Sequence, residues 1–224
     1  MATKEPLQTI SVAEAATNRL RESLFAGAYE AGAEVKDTLI ADEYGIARPT
    51  ARIAVQQLIA EGMLVREPGY SARVRTFDPN QVRDIFRVRK LIEIDSVRAA
   101  KRTKAPLDKV ERALERFSNL GPSPAWAEVA EADAGFHLAV VEAGGSERLC
   151  SYFAGITNEI RLLLALPETH FGRGGSPYEE HQELFQLLAG DATVAEVKRA
   201  WVSHLDESRD FLIHHLTREL NTAN

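Results

Sequence analysis

The stretch YGIARPTARIAVQQLIAEG, residues 44–62, decides how the first third of the chain is read. Gly45 marks a turn, and a run from about Arg48 to Glu61 follows with Ala51, Val55, Leu58 and Ile59 at helical spacing, stopped by Gly62. Arg48 and Arg52 stand four residues apart at the head of this helix, where like charges on one face repel. The pair makes sense if an anion lies opposite, because arginine binds phosphates and guanine edges through two parallel hydrogen bonds.

The flanks give that helix its setting. Upstream, Ser11-Val12-Ala13-Glu14 matches a capping box, and Val12, Ala15, Ala16, Leu20 and Leu24 predict a helix that ends at Gly27. A Gly/Ala-rich loop leads to Asp37, which reads as the N-cap of a second helix holding Leu39, Ile40 and Tyr44. Downstream, residues 63–67 and 71–75 predict two short strands around Pro68-Gly69. Three helices and a hairpin of this length make a winged helix-turn-helix, whose second motif helix enters the DNA major groove N-terminus first. Candidate DNA contacts are Arg48, Thr50 and Arg52 on that helix, with Arg66 and Arg73 on the wing. The competing reading is a small helical domain with a solvated charged face.

Charge distribution favours the DNA reading. The 224-residue chain has a net charge of −6, which taken whole argues mildly against nucleic acid. Residues 1–47 hold four Lys/Arg against eight Asp/Glu, yet residues 48–75 hold five arginines against Glu61 and Glu67. A confined basic patch in an acidic chain is the footprint of a local anion-binding surface. With no long apolar run and no leader pattern, a cytoplasmic protein without a membrane span is expected. The single cysteine, Cys150, excludes an intrachain disulfide and a four-thiolate zinc site.

From Asp78-Pro79, a cap followed by a first helical position, the pattern changes to long helices. Segments are expected at about 79–102, 106–118, 124–143, 146–165, 177–189 and 191–218, separated by Pro106, Gly121–Pro124, Gly144-Gly145, Gly172–Pro177 and Gly190-Asp191. The expected fold is therefore mainly α: an N-terminal winged helix-turn-helix, residues 1–77, and a C-terminal all-helical antiparallel bundle, residues 78–224.

Six histidines sort by helical phase. Asp133 and His137, four apart, share a face. His181 is in phase with Leu184, Phe185 and Leu188, and His204 with Trp201, Leu205, Ser208 and Leu212, so both point inward. His170, His214 and His215 receive no role. An inward polar group needs a partner, and two answers stay open on spacing alone: a hydrogen-bonded cluster, or one shared divalent ion, for which imidazole and carboxylate suit Zn, Ni, Fe or Mn.

These features together resemble the GntR family of bacterial transcription regulators, in its FadR-like branch with an FCD ligand-binding domain. Ile40–Val55, IADEYGIARPTARIAV, and Glu61-Gly62-Met63-Leu64-Val65 carry the likeness in the first domain. Arg48 and Arg52 fall on the family's two recognition-helix arginines. Ala47 in place of Ser, Pro49-Thr50 in reversed order, Ile53 in place of Glu and the tip Pro68-Gly69-Tyr70-Ser71 depart from its pattern. In the second domain, residues 84–93 look like the family's opening helix. Asp133, His137, His181 and His204 match the metal set of FCD domains. Ser146 stands where many relatives have Asn, and it can still cap the next helix.

The resemblance implies a homodimer on a roughly palindromic double-stranded operator, a bound divalent metal, and a small carboxylate effector. It implies a regulator rather than an enzyme, in most relatives a repressor. Arg89 matches an arginine of the opening helix and would anchor the acid, with Asn158 and Arg161 as further pocket residues; otherwise Arg89 is a surface ion-pair partner of Glu93. The alternatives are a metal-dependent hydrolase, for which no HExxH pair or nucleophile setting is found, and a pure metal sensor.

Overall fold

A computed structural model describes residues 10–121, 124–165 and 176–222. The expected breaks at Pro122-Ser123 and Gly172–Gly175, and His170, lie outside the described residues. The chain divides into two compact units, Met1–Arg75 and Thr76–Asn224.

The first unit holds α1 (Val12–Phe25), β1 (Glu34–Val35), α2 (Asp37–Tyr44), α3 (Arg48–Ala60), β2 (Leu64–Val65) and β3 (Ala72–Val74). Ser11 caps α1, its hydroxyl accepting from the Glu14 N–H at 3.1 Å. Leu20, Leu24, Ile40, Ala51, Val55 and Leu58 are buried and form the core between the helices. Gly45 takes φ +64° at the end of α2, a conformation costly for any side chain with a Cβ, and sets the turn into α3.

Two expectations change here. The helix-capping position is Lys36, which makes no side-chain cap bond, and Asp37 is the first helical residue. The wing also has a third strand: β1 pairs antiparallel with β3 (Val35 opposite Ala72), and β3 pairs with β2 (Leu64 opposite Val74), giving the order β1-β3-β2. Two residues are too few to show alternation, so β1 left no periodic trace in its Gly/Ala-rich surroundings.

The second unit is helical throughout its described residues: α4 (Pro79–Thr103), α5 (Asp108–Ser118), α6 (Trp126–Ala143), α7 (Glu147–Ala165), α8 (Pro177–Ala189) and α9 (Val194–Thr222). Local chemistry fixes the starts. Asp78 and Gln81 form a capping box ahead of Pro79. The Ser146 hydroxyl accepts from the Leu149 N–H at 3.3 Å. Thr193 and Glu196 cap α9 reciprocally, which moves its start from the expected 191 to 194.

α6 buries residues on several sides, including Val129, Ala132, Phe136, His137, Val140 and Val141, and so occupies the middle of the unit against α4, α5 and α7. α4 also packs along α9. This arrangement brings the inner faces of α4, α6, α8 and α9 to one place.

The backbone packs closely at Gly144, where an added Cβ would lie 2.7 Å from the Cα and Cβ of Ser96 on α4. Gly144→Ala should therefore destabilise the protein by about 1–3 kcal/mol through overpacking. Gly155, in the interior of α7 with nothing within 4 Å of an added Cβ, behaves oppositely: Gly155→Ala should gain about 0.5–1 kcal/mol. Urea midpoints of the two variants check the pair, and shifts of the same sign would contradict this packing.

Candidate metal centre

The four in-phase residues meet. Asp133 and His137 project from adjacent turns of α6, His181 from the first turns of α8 and His204 from α9, and one donor atom from each lies within 4.8 Å of all the others. The three imidazoles are buried. His181 Nε2 and His137 Nε2 stand 3.3 and 3.7 Å from Asp133 Oδ1, and His204 Nε2 is 3.3 Å from His137 Nε2.

The outer nitrogens define which inner atoms carry lone pairs. His137 Nδ1 lies 2.6 Å from Glu93 Oε2, and Glu93 is completely buried on α4. Burial alone would raise the Glu93 carboxyl, but His137 and Arg89 outweigh it and hold it at about 2. The carboxylate therefore has no proton, and His137 Nδ1–H donates to it, which turns Nε2 toward the centre. His181 repeats the arrangement by donating Nδ1–H to the Pro177 carbonyl at 2.7 Å. Burial, followed by the neighbouring His181 and His137, pushes His204 well below the ordinary histidine value, so it is neutral.

With its Nδ1–H donated to Pro177, His181 turns Nε2 onto the Asp133 carboxylate, and the two repel unless something positive lies between them. His181 Nε2 and Asp133 Oδ2 are buried and have no hydrogen-bond partner. Ligands on adjacent positions of an ion with bonds near 2.0–2.1 Å are roughly 3 Å apart, similar to the separations here. The donor set, nitrogen and carboxylate oxygen, suits the divalent ions named above. The residues fit a metal ion, and the cluster can hold one.

The charges agree. Around the centre Arg89 contributes a positive charge, and Glu93, Asp133 and Glu180, 3.9 Å from His204 Nδ1, contribute negative ones. Arg89 Nε donates to Glu93 Oε1 at 2.8 Å, and its Nη2 lies 3.9 Å from Asp133 Oδ2. Burial opposes the Arg89 charge, and Glu93 and Asp133 more than restore it. For Asp133 too, burial raises the carboxyl and the His137, Arg89 and His181 side chains bring it far below the ordinary range. The carboxylates outnumber the arginine, and an excess of negative charge in a region of low dielectric is costly.

Arg89 is thus not a surface ion pair. It is 1% exposed, its Nη2 has no hydrogen-bond partner, and it lines a cavity with Asp133, His181, His204, Trp126 and Ser208. Asn158 and Arg161, both on α7, are not among the residues lining that cavity; Arg161 instead reaches Glu131 at 3.5 Å. Glu93 and Trp201, whose indole N–H donates to Glu93 Oε2 at 3.1 Å, were missed by sequence reasoning. The signal was available: Arg89 and Glu93 share helical phase with the apolar Val82, Phe86, Val97 and Ala100 of α4.

In the first unit, Arg48 and Arg52 lie exposed on the first turns of α3 with Thr50 partly covered between them, and Arg66 and Arg73 are exposed on the wing. Arg52 is already engaged: its Nε lies 3.2 Å from Asp37 Oδ2 at the start of α2. That exposed pair eases the repulsion with Arg48 that the sequence leaves unexplained, and it orients Arg52 without burying it. Arg73 donates to the Gly32 carbonyl at 3.0 Å.

Comparison with known proteins decides the family. Residues 12–74 match the family described as bacterial regulatory proteins, gntR family, and residues 84–207 match the FCD domain. The chain belongs to the GntR family, with an FCD domain. It is similar to the HTH-type transcriptional regulator LutR of Bacillus subtilis (strain 168), at 29% identity over 77% of this chain and 88% of the relative. A GntR transcriptional regulator from Rhodococcus sp. RHA1 shares the fold with a TM-score of 0.81 at 20% identity, covering 90% of this chain and 97% of that one. McbR/YncC of E. coli does so with a TM-score of 0.67 at 18% identity, covering 92% and 99%. The GntR chain is a transcription regulator rather than an enzyme, and the hydrolase alternative falls with that assignment. No helix among the described residues is long and apolar enough to cross a membrane.

Glu93 should prove a structural keystone. Glu93→Ala breaks the buried pair with Arg89 and strips His137 and Trp201 of their acceptor, and should cost about 3–5 kcal/mol. Its contribution is full above the ordinary glutamate value of 4.5 and is lost as pH falls toward about 2, because its folded-state pKa is depressed. The stability gap between wild type and Glu93→Gln, read from thermal midpoints, should accordingly narrow on acidification through that window. A gap that widens would reverse the sign of this assignment.

Proposed function

We propose that this regulator is a homodimeric, cytoplasmic DNA-binding repressor whose FCD domain holds a divalent ion, Zn, Ni, Fe or Mn, and senses a small organic acid beside it. The observation that carries the reading is the convergence of four donor atoms with unpartnered buried Nε2 and Oδ2 atoms, next to an arginine with an unpartnered Nη2. Asp133, His137, His181 and His204 would hold the ion. Glu93 and the Pro177 carbonyl orient two of the imidazoles from behind, as outer partners of metal ligands do. A bound ion supplies positive charge and coordination positions beyond those four residues.

The ion and Arg89 together suit an acid as effector. A divalent ion would offer positive charge and open coordination positions to a carboxylate. Arg89 Nη2 offers the acid a second, charge-assisted contact in the same cavity. The family resemblance supports the repressor and dimer assignments, and two-fold protein symmetry suits a palindromic operator. An acid controls DNA binding only if it favours one dimer arrangement over another, and the coupling is then reciprocal.

Metal content tests the first part. Protein purified without chelator should carry about one divalent ion per chain by elemental analysis, and His181→Ala should lose it together with thermal stability. Absence of metal, with none taken up on addition, sinks the metal reading. A thermal-shift screen of small carboxylates separates the sensing alternatives. Acids should raise the midpoint of the metal-loaded protein, and the rise should vanish after chelation or in Arg89→Met. DNA affinity that tracks metal while no acid shifts the midpoint would favour a pure metal sensor.

DNA recognition is tested apart from sensing. On an operator obtained by selection from randomised duplexes, Arg52→Ala should weaken specific binding by about 1–3 kcal/mol if it contacts a base. The Arg48→Ala/Arg52→Ala double variant should lose specific shifts in a mobility assay, and binding equal to wild type would exclude α3 as the reading helix.

A further inference from the structure

α4 spends its inner face on the core and on the candidate metal centre, through Val82, Phe86, Arg89, Glu93 and Val97. Its outer face carries a large exposed apolar residue near the middle of the helix: Leu91 is 69% exposed. Counting outward from Leu91 gives a pattern. Three residues to either side stand Val88 and Ile94, both partly exposed; four to either side stand Arg87 and Asp95; seven to either side stand Asp84 and Arg98. Offsets of three, four and seven return to one helix face, so all seven form a single stripe about 21 Å long. The four charged residues are exposed, and none of their side chains forms an ion pair or hydrogen bond with another described residue.

The stripe is apolar-symmetric and charge-antisymmetric about its centre. We propose that it is the surface on which two copies of the chain pair, with their α4 helices antiparallel about a two-fold axis at Leu91. In that arrangement a residue a given number of places after Leu91 meets the residue the same number before it in the second copy. Leu91 then meets Leu91, Val88 meets Ile94, Arg87 meets Asp95 and Asp84 meets Arg98, each of the unlike pairs twice. A parallel pairing would set Arg87 on Arg87 and Asp95 on Asp95, so the charges exclude it. Exposed ion pairs are individually weak, and here they choose the register and direction while the covered apolar centre contributes affinity. A two-fold pairing of one patch with itself is the ordinary form of a closed homodimer. The inference deepens the dimer assignment made above and assigns it a face.

The test uses the full-length chain in sedimentation equilibrium, with far-ultraviolet circular dichroism to verify helicity. Arg87→Asp/Arg98→Asp makes the stripe wholly acidic, and Asp84→Arg/Asp95→Arg makes it wholly basic. Wild type should sediment at twice its 24.8 kDa, and each variant alone should show a dimer dissociation constant raised at least tenfold. Mixing the two variants should restore association as a one-to-one heterodimer, and the fourfold exchange of all these charges should restore the homodimer. If the one-sign variants keep the wild-type constant, the dimer uses another face and only this proposal fails. A loss that neither mixing nor the fourfold exchange repairs overturns it as well. Monomeric wild-type protein would overturn the dimer assignment itself.

Discussion

Glu93 has no access to water, and its two oxygens are divided among Arg89, His137 and Trp201. Each of those contacts ties a different helix to α4 or sets a side chain on α4 itself: His137 comes from α6, Trp201 from α9, Arg89 from one turn earlier. A buried carboxylate survives only if its oxygens are satisfied and its charge is opposed. Meeting that condition positions His137, and with it the inner geometry of the cluster. The centre is thus built from α4 outward, although α4 supplies none of the four candidate ligands.

The same condition leaves a residue of charge. Arg89 faces the Glu93 and Asp133 carboxylates together, and Glu180 adds a third carboxylate near His204. A purely hydrogen-bonded cluster would need a proton between His181 Nε2 and Asp133, and with Nδ1–H already donated to the Pro177 carbonyl that requires a charged ring. A cation among the four donors is the solution the proposed function adopts. Structure and proposed sensing are in this sense one electrostatic problem.

The DNA-reading unit solves a smaller problem of the same kind. Arg52 remains 62% exposed at its side chain while Asp37 holds it, so the pair is weak and exchangeable for phosphate or a base edge. Burying it would have made recognition costly, because the ion pair would have to be broken inside the protein before DNA could be contacted.

Much of this was legible in the amino-acid order. Helix phase, capping pairs such as Asp78 with Gln81, and the glycine turn at Gly45 are local, and local chemistry determined the two-part mainly α fold. Phase alone also selected Asp133, His137, His181 and His204, since an inward histidine is visible without knowing what it faces. The register of α4's outer stripe is likewise a property of sequence, read once the helix and its exposed side are known. Three things waited for the tertiary structure. β1 is only two residues long and exists because β3 offers it a partner. Glu93 looked like the surface partner of Arg89, and only the packing of α6 and α9 onto α4 shows it buried and shared. Asn158 and Arg161 lie on a helix whose rotation is set by its neighbours, and the cavity is lined without them. Periodicity tells which residues of a helix point inward; which residues from different helices then meet depends on how the helices pack, and that is settled by the sum of contacts across the whole unit.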